Sequence, residues 1–118
     1  MPLLFSYGAL QREHIQLSTC GRLLDGQNDE LVRYAPALTK IEDAVMAARL
    51  GRTHHANVMP TRNAKSRAAG TVFEVTDAEL AGCDTYEAPF HYVRVTAMLA
   101  SGRETWVYVH APSIQPRR

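Results

Sequence analysis

The chain's 118 residues fit one domain built around one core. Hydrophobic residues make up 46% and charged residues 21%, an ordinary globular composition, and the formal net charge of +1 gives no electrostatic argument for a nucleic-acid or membrane partner. No apolar run approaches the ~18 residues of a membrane-spanning helix, and the apolar start is too short, with no Lys or Arg before it, for a secretory leader. Cys20 and Cys83 lack the C-x-x-C spacing of redox and zinc motifs and make no disulfide framework, so a reducing, cytoplasmic setting is expected.

In chain order, residues 2–6 (PLLFS) read as a strand buried on both faces, closed by Gly8. The spacing predicts a short helix over 10–19 with Leu10, His14 and Leu17 on one side. Turn residues make 21–30 a loop, and 31–41 reads as one strand interrupted or edged at Pro36. The stretch DAVMAARLG suits either a helix or a strand. Residues 54–60 read as a strand and 61–67 as a polar loop, whose Arg62, Lys65 and Arg67 are taken as a solvated surface, like Arg117 and Arg118.

The second half is clearer. Residues 70–75 (GTVFEV) are β-branched and aromatic, which suits a strand. Thr76 and Glu79 then form a capping-box pattern opening a helix over 77–87, stopped by Pro89. Residues 91–100 alternate, Gly102 supplies a hairpin turn, and 105–111 is the return strand. A domain over 1–112 with a loose tail at 113–118 is expected. Hairpin-linked strands with short helices imply an α+β chain with a curled, partly closed sheet.

Four features are candidates for chemistry. Leu80, Cys83 and Glu87 share a face of the 77–87 helix, so Glu87 ends an apolar stripe. Burial and the helix C-terminus would both push its pKa upward, toward the range of a general base, unless it points into water at a frayed end. Cys83 reads as a small core residue, because nothing pairs a histidine with either cysteine. His54 and His55 are adjacent on a strand, point to opposite faces and do not readily chelate one metal ion. After the first strand, Tyr7, Gly8, Ala9 and Leu10 can turn with their N–H groups aimed at one point, an arrangement that holds anions and oxyanions.

Two segments together resemble a known family. LFSYGALQ is similar to the Y-G-[ST]-L segment of the γ-glutamylcyclotransferase-like superfamily, AIG2-like and γ-glutamylamine cyclotransferase branches included. GTVFEVTDAELAGCDTYEAPFHYVRVTA resembles its second signature, a strand and helix followed by D-x-[YF]-E-G and Y-x-R. The match is good over 3–11 and 70–110 and loose over 20–65.

The resemblance implies a small mixed β-barrel with flanking short helices. It implies cyclising cleavage of a small-molecule γ-glutamyl amine or amino acid to 5-oxoproline, with no metal or organic cofactor. It assigns Glu87 as acid/base and Tyr7, Gly8, Ala9 and Leu10 as holders of the glutamyl part. Tyr92 is a pocket wall or packing residue, and Arg94 either clamps a substrate carboxylate or pairs with a structural one such as Asp84. Ala9 stands where the family has Ser or Thr, and Ala88 and Pro89 follow Glu87 where it has Gly. A binding domain without turnover and a thiol enzyme using Cys83 or Cys20 are the competing functions. The leaving group and the oligomeric state are not legible.

Overall fold

The computed structural model describes residues 1–114. Chain order is β1 (Leu3–Ser6), a 3-10 turn (Ala9–Gln11), α1 (Glu13–Cys20), β2 (Gly26–Val32), β3 (Tyr34–Lys40), α2 (Ala44–Leu50), β4 (His54–Pro60), β5 (Arg67–Glu74), α3 (Asp77–Glu87), a 3-10 turn (Ala88–Phe90), β6 (Tyr92–Met98), β7 (Glu104–His110) and a 3-10 turn (Ala111–Ser113). Five strands form one sheet in the order β2-β5-β1-β7-β6, and β3 and β4 form a second. β1 runs antiparallel to β5 and parallel to β7.

β1 sits at the centre of the large sheet, and its alternation feeds two cores. Leu4 joins Phe73, Val75, Leu80, Cys83 and Tyr108 on the face covered by α1 and α3. Phe5 joins Leu31, Val58, Val72, Leu99, Val107 and Val109 on the other face, where β4 contributes Val58. A strand with a core on each side must be apolar throughout, as PLLFS suggests. Gly70 lets β5 lie against the end of β1, since a Cβ there would run into the Ser6 carbonyl and the Phe5 ring.

The expected mixed α+β fold with a curled, partly closed sheet forms, but the sheet does not close into a barrel. The sheet curls until its edges touch at a single bridge, Leu31 to Leu99, reinforced by Ala100 N–H donating to Glu30 O at 2.8 Å. The ladder goes no further because the chain leaves the sheet at Arg33, which takes positive φ (64°), and crosses into the β3–β4 pair.

The same turn corrects two expectations for the first half. Residues 31–41 are not one strand, and the predicted loop at 21–30 contains the start of β2. Turn-type residues Gly26, Asn28 and Asp29 are drawn into the ladder by pairing with β5, which overrides their propensity. The undecided stretch at 43–51 is a helix: Asp43 caps it by accepting from Val45 and Met46 N–H, and Gly51 ends it at φ 67°.

α1 starts later than predicted and turns a different face inward. Gln16 is buried with Ile15, Thr19 and Cys20 partly so, whereas His14 is exposed and Leu17 is 51% exposed. α3 has the predicted bounds and the full capping box. Of the predicted loose tail, Ser113 accepts a hydrogen bond from Asn57 and Ile114 packs on the core, while 115–118, with Arg117 and Arg118, lie outside the described residues. No helix among the described residues is long and apolar enough to cross a membrane.

Candidate active site

A cavity of about 320 Å³ opens where the end of β1, the Ala9–Gln11 turn, the end of α3 and the start of β4 meet. That volume is at the low end of the ~300–1,000 Å³ usual for small-molecule sites. Tyr7, Gly8, Ala9, Leu10, Glu87 and Tyr92 all line it, so residues eighty positions apart in sequence share one wall.

The turn is built from both sides. The Gly8 N–H donates to Ser6 Oγ at 3.3 Å, and the carbonyls of Gly8 and Ala9 accept from Gln11 and Arg12 N–H. The Ala9 and Leu10 N–H groups head the 3-10 turn and find no acceptor among the described residues. The Gln16 amide, buried in α1, donates to Leu10 O at 2.9 Å and accepts from Leu24 N–H at 2.8 Å, which fixes the turn against α1. Nothing in the sequence marks this residue, because a Gln on a short helix gives no signal that its side chain points inward. The Tyr7 hydroxyl donates to Tyr108 O on β7. A Cβ at Gly8 would meet only Ala56, at an ordinary 3.6 Å.

Glu87 projects from the last turn of α3, on the face that buries Leu80 and Cys83. It makes no ion pair among the described residues, and burial alone pushes its pKa up to about 7. The helix does not fray there: the chain continues through Ala88–Phe90 and stops at His91, with φ 61°. The helix-terminus contribution expected at Glu87 is therefore not needed to account for the shift. Ala88 has ordinary helical dihedrals (φ −55°, ψ −42°), which any L residue adopts, so the family's Gly is not required at that position.

Cys83 also faces the cavity, but burial first, with Cys20 and acidic neighbours adding, pushes its thiol up to about 12. A thiol protonated at neutral pH is a poor nucleophile. The Tyr92 hydroxyl donates to Ala56 O at 2.7 Å and so ties β6 to β4.

Arg94 lies outside the cavity. Its Nε is 3.1 Å from Asp84 Oδ1 and its guanidinium covers the Trp106 ring at 4.4 Å; the same Asp84 oxygen accepts from the Tyr108 hydroxyl at 2.7 Å. Of the two roles open to it in the sequence, the ion pair is the one formed. Because Tyr108 also takes the Tyr7 hydrogen bond, this cluster braces the wall beneath the turn.

Arg12, Arg52 and Tyr86 also line the cavity without any signal in the sequence, as does His55, which the sequence offered only as one of two adjacent histidines. His55 packs edge-on against Phe90 at 4.6 Å, and burial first, then Arg52 and His110, lowers its pKa. His54 is exposed, as the strand alternation required, and no cluster of three or more His, Cys, Asp or Glu side chains that could hold a metal occurs among the described residues.

The family model described as "Gamma-glutamyl cyclotransferase, AIG2-like" matches residues 4–118. No curated protein matches. A protein of Arabidopsis thaliana solved in solution superposes with a TM-score of 0.72 at 20% identity, covering 98% of this chain and 66% of its own. A structure named gamma-glutamyl cyclotransferase gives 0.63 at 16% identity, covering 91% and 64%. An uncharacterised protein of Pyrococcus horikoshii gives 0.61 at 14% identity, covering 99% and 82%. The chain spans about two thirds of the length of the Arabidopsis and cyclotransferase structures, 66% and 64%. Identities this low speak for the fold, and the family match speaks for descent: the chain belongs to the AIG2-like gamma-glutamyl cyclotransferase family.

Proposed function

We propose that this chain is a γ-glutamyl cyclotransferase, which releases 5-oxoproline and a free amine or amino acid from a small γ-glutamyl compound. The observation that carries the reading is one cavity holding both an unpaired, half-buried carboxylate and two unpaired N–H groups of a backbone turn.

The reaction needs those two things. The substrate's α-amine is protonated at neutral pH and cannot attack. Glu87, with a pKa of about 7, is ionised in a useful fraction of molecules and takes that proton. The amine nitrogen then attacks the γ-carbonyl carbon and closes a five-membered ring. The resulting oxyanion is stabilised by the Ala9 and Leu10 N–H groups. Glu87 gives its proton to the departing nitrogen as the C–N bond breaks, then takes the second proton from the ring nitrogen, which is left as the lactam N–H, and passes it to the freed amine, so no water or co-reactant is consumed. Because the attack is intramolecular, the protein's task is to fold the substrate into reacting geometry. Ala9 in place of Ser or Thr leaves that task to the backbone.

The test is 5-oxoproline release from a panel of γ-glutamyl compounds by wild type, Glu87→Gln and Cys83→Ala. Loss confined to Glu87→Gln is the expected result. Loss confined to Cys83→Ala would move the chemistry to the thiol, and ligand binding without release by any variant would make this a binding domain.

A further inference from the structure

The cavity lining includes two residues with buried, unpartnered nitrogen atoms. Arg52 Nε and His55 Nε2 are both buried from solvent, and neither has a hydrogen-bond partner among the described residues. Buried polar atoms are nearly always paired in folded proteins, so two orphans in one cavity lining need an explanation.

Arg52 is held in place by backbone. Gly51 ends α2 in the left-handed region, and Arg52 N–H returns to Ala47 O at 3.2 Å. His55 follows three residues on, at the start of β4. The described carboxylates in ion pairs are Glu79, Asp84 and Asp29, and none is paired with Arg52. Arg12, the other lining guanidinium, is exposed to water and needs no partner.

The turn and Glu87 line the cavity from the end of β1 and the end of α3, whereas Arg52 and His55 line it from the end of α2 and the start of β4. Glu87 and Arg52 form no ion pair with each other. In the cyclotransferase reading, on which this inference rests, the glutamyl part occupies the turn, the reacting amide sits by Glu87, and the leaving group extends toward Arg52.

We propose that Arg52, assisted by His55, binds the carboxylate of the leaving group, so that the site prefers γ-glutamyl amino acids to γ-glutamyl amines. A guanidinium offers a planar fork to a carboxylate, and a neutral imidazole adds one more donor. An uncharged amine would leave Arg52 Nε unpaired, and such an omission discriminates strongly between ligands.

A matched ligand pair tests this: γ-glutamylglycine and γ-glutamylmethylamide, which differ only in that carboxylate. Binding is measured calorimetrically on the Glu87→Gln protein, with and without Arg52→Gln or Arg52→Lys, and 5-oxoproline release is measured on wild type. With Arg52 present the dipeptide should bind about tenfold tighter or more. Arg52→Gln should abolish that preference, leave methylamide affinity within about twofold, and Arg52→Lys should keep part of it. A preference that is absent from the start, one that survives Arg52→Gln, or a parallel loss for both ligands overturns the proposal. Wild-type release from the methylamide without any dipeptide preference removes this inference and keeps the cyclotransferase reading. A preference in binding without release from either compound does the reverse, and neither binding nor release removes both.

Discussion

The five-stranded sheet and the β3–α2–β4 segment meet at the same cavity but are built differently. The largest fully buried side chains, among them Leu4, Phe5, Leu31, Leu99, Val107 and Val109, belong to the sheet and the turns that continue it, and Val58 is the segment's one member of that set. The segment instead leaves Leu38 72% exposed and Val45 65% exposed. It is anchored at a few points: Val58 in the core, Asn57 between Ser113 and His110, and Ala56 under the Tyr92 hydroxyl. The sheet and α3 hold the groups proposed for the chemistry, and the lightly packed segment holds those proposed for choosing the substrate. Proton transfer and oxyanion binding demand fixed geometry, which dense packing supplies, whereas a wall that selects a leaving group can vary without disturbing the core.

The largest expected effect lies on the sheet side. Glu87→Gln should lower kcat/KM by roughly 10²–10⁴-fold, the usual contribution of a general acid/base. Its effect on stability should have the opposite sign. A carboxyl whose folded pKa is raised to about 7 favours folding fully below its unfolded value, and that contribution is lost as pH rises through 7. Gln carries no such pH-dependent loss, so the variant should unfold at higher denaturant than wild type at pH 8, by roughly 2 kcal/mol, with the gap closing toward pH 4.5. In wild type, kcat/KM should fall as pH drops below about 7, where Glu87 takes up its proton.

Packing gives the next contrast. Phe5→Ala should destabilise by about 3–5 kcal/mol, while Leu38→Ala, on the exposed face of β3, should stay within about 0.5 kcal/mol. Equal costs in denaturant titrations would break the distinction drawn between the two regions.

At the turn, Gly8→Val should reduce activity by about tenfold or more, because the side chain enters the space where a ligand meets the backbone. Ala9→Ser should change it by less than about threefold, since the backbone N–H remains. The reverse order in steady-state rates would mean that the turn works through its side chains.

A smaller effect than that of Phe5→Ala or Gly8→Val should come from Tyr92→Phe, which removes the hydroxyl tying β6 to Ala56 O. A loss of about 1 kcal/mol is expected. Hydrogen exchange would sharpen the reading, since faster exchange confined to β4 identifies this bond as an anchor of the segment, and uniform acceleration would not.

Sequence and structure agree best where local rules are strong. The capping box at Thr76 and Glu79, Pro89 after the helix, and Gly102 in the hairpin each specify backbone geometry within a few residues, and α3 and the β6–β7 hairpin follow. They agree least over 20–65. There β2 recruits turn-forming residues because β5 supplies partners, and Arg33 adopts a left-handed turn that no local pattern marks; just before that stretch, Gln16 turns inward to satisfy Leu10 O and Leu24 N–H.

By itself the sequence marked the two halves of the proposed site, the turn at Tyr7–Leu10 and the carboxylate at Glu87, because a strand-ending glycine and an apolar helix stripe are short-range patterns and the two segments together resemble one family. Their distance, the depth of Glu87, the engagement of Arg94 by Asp84 and the placing of Arg52 and His55 in the same cavity depend on contacts between residues far apart in the chain. Burial and pairing are properties of such contacts, and only the tertiary structure decides them.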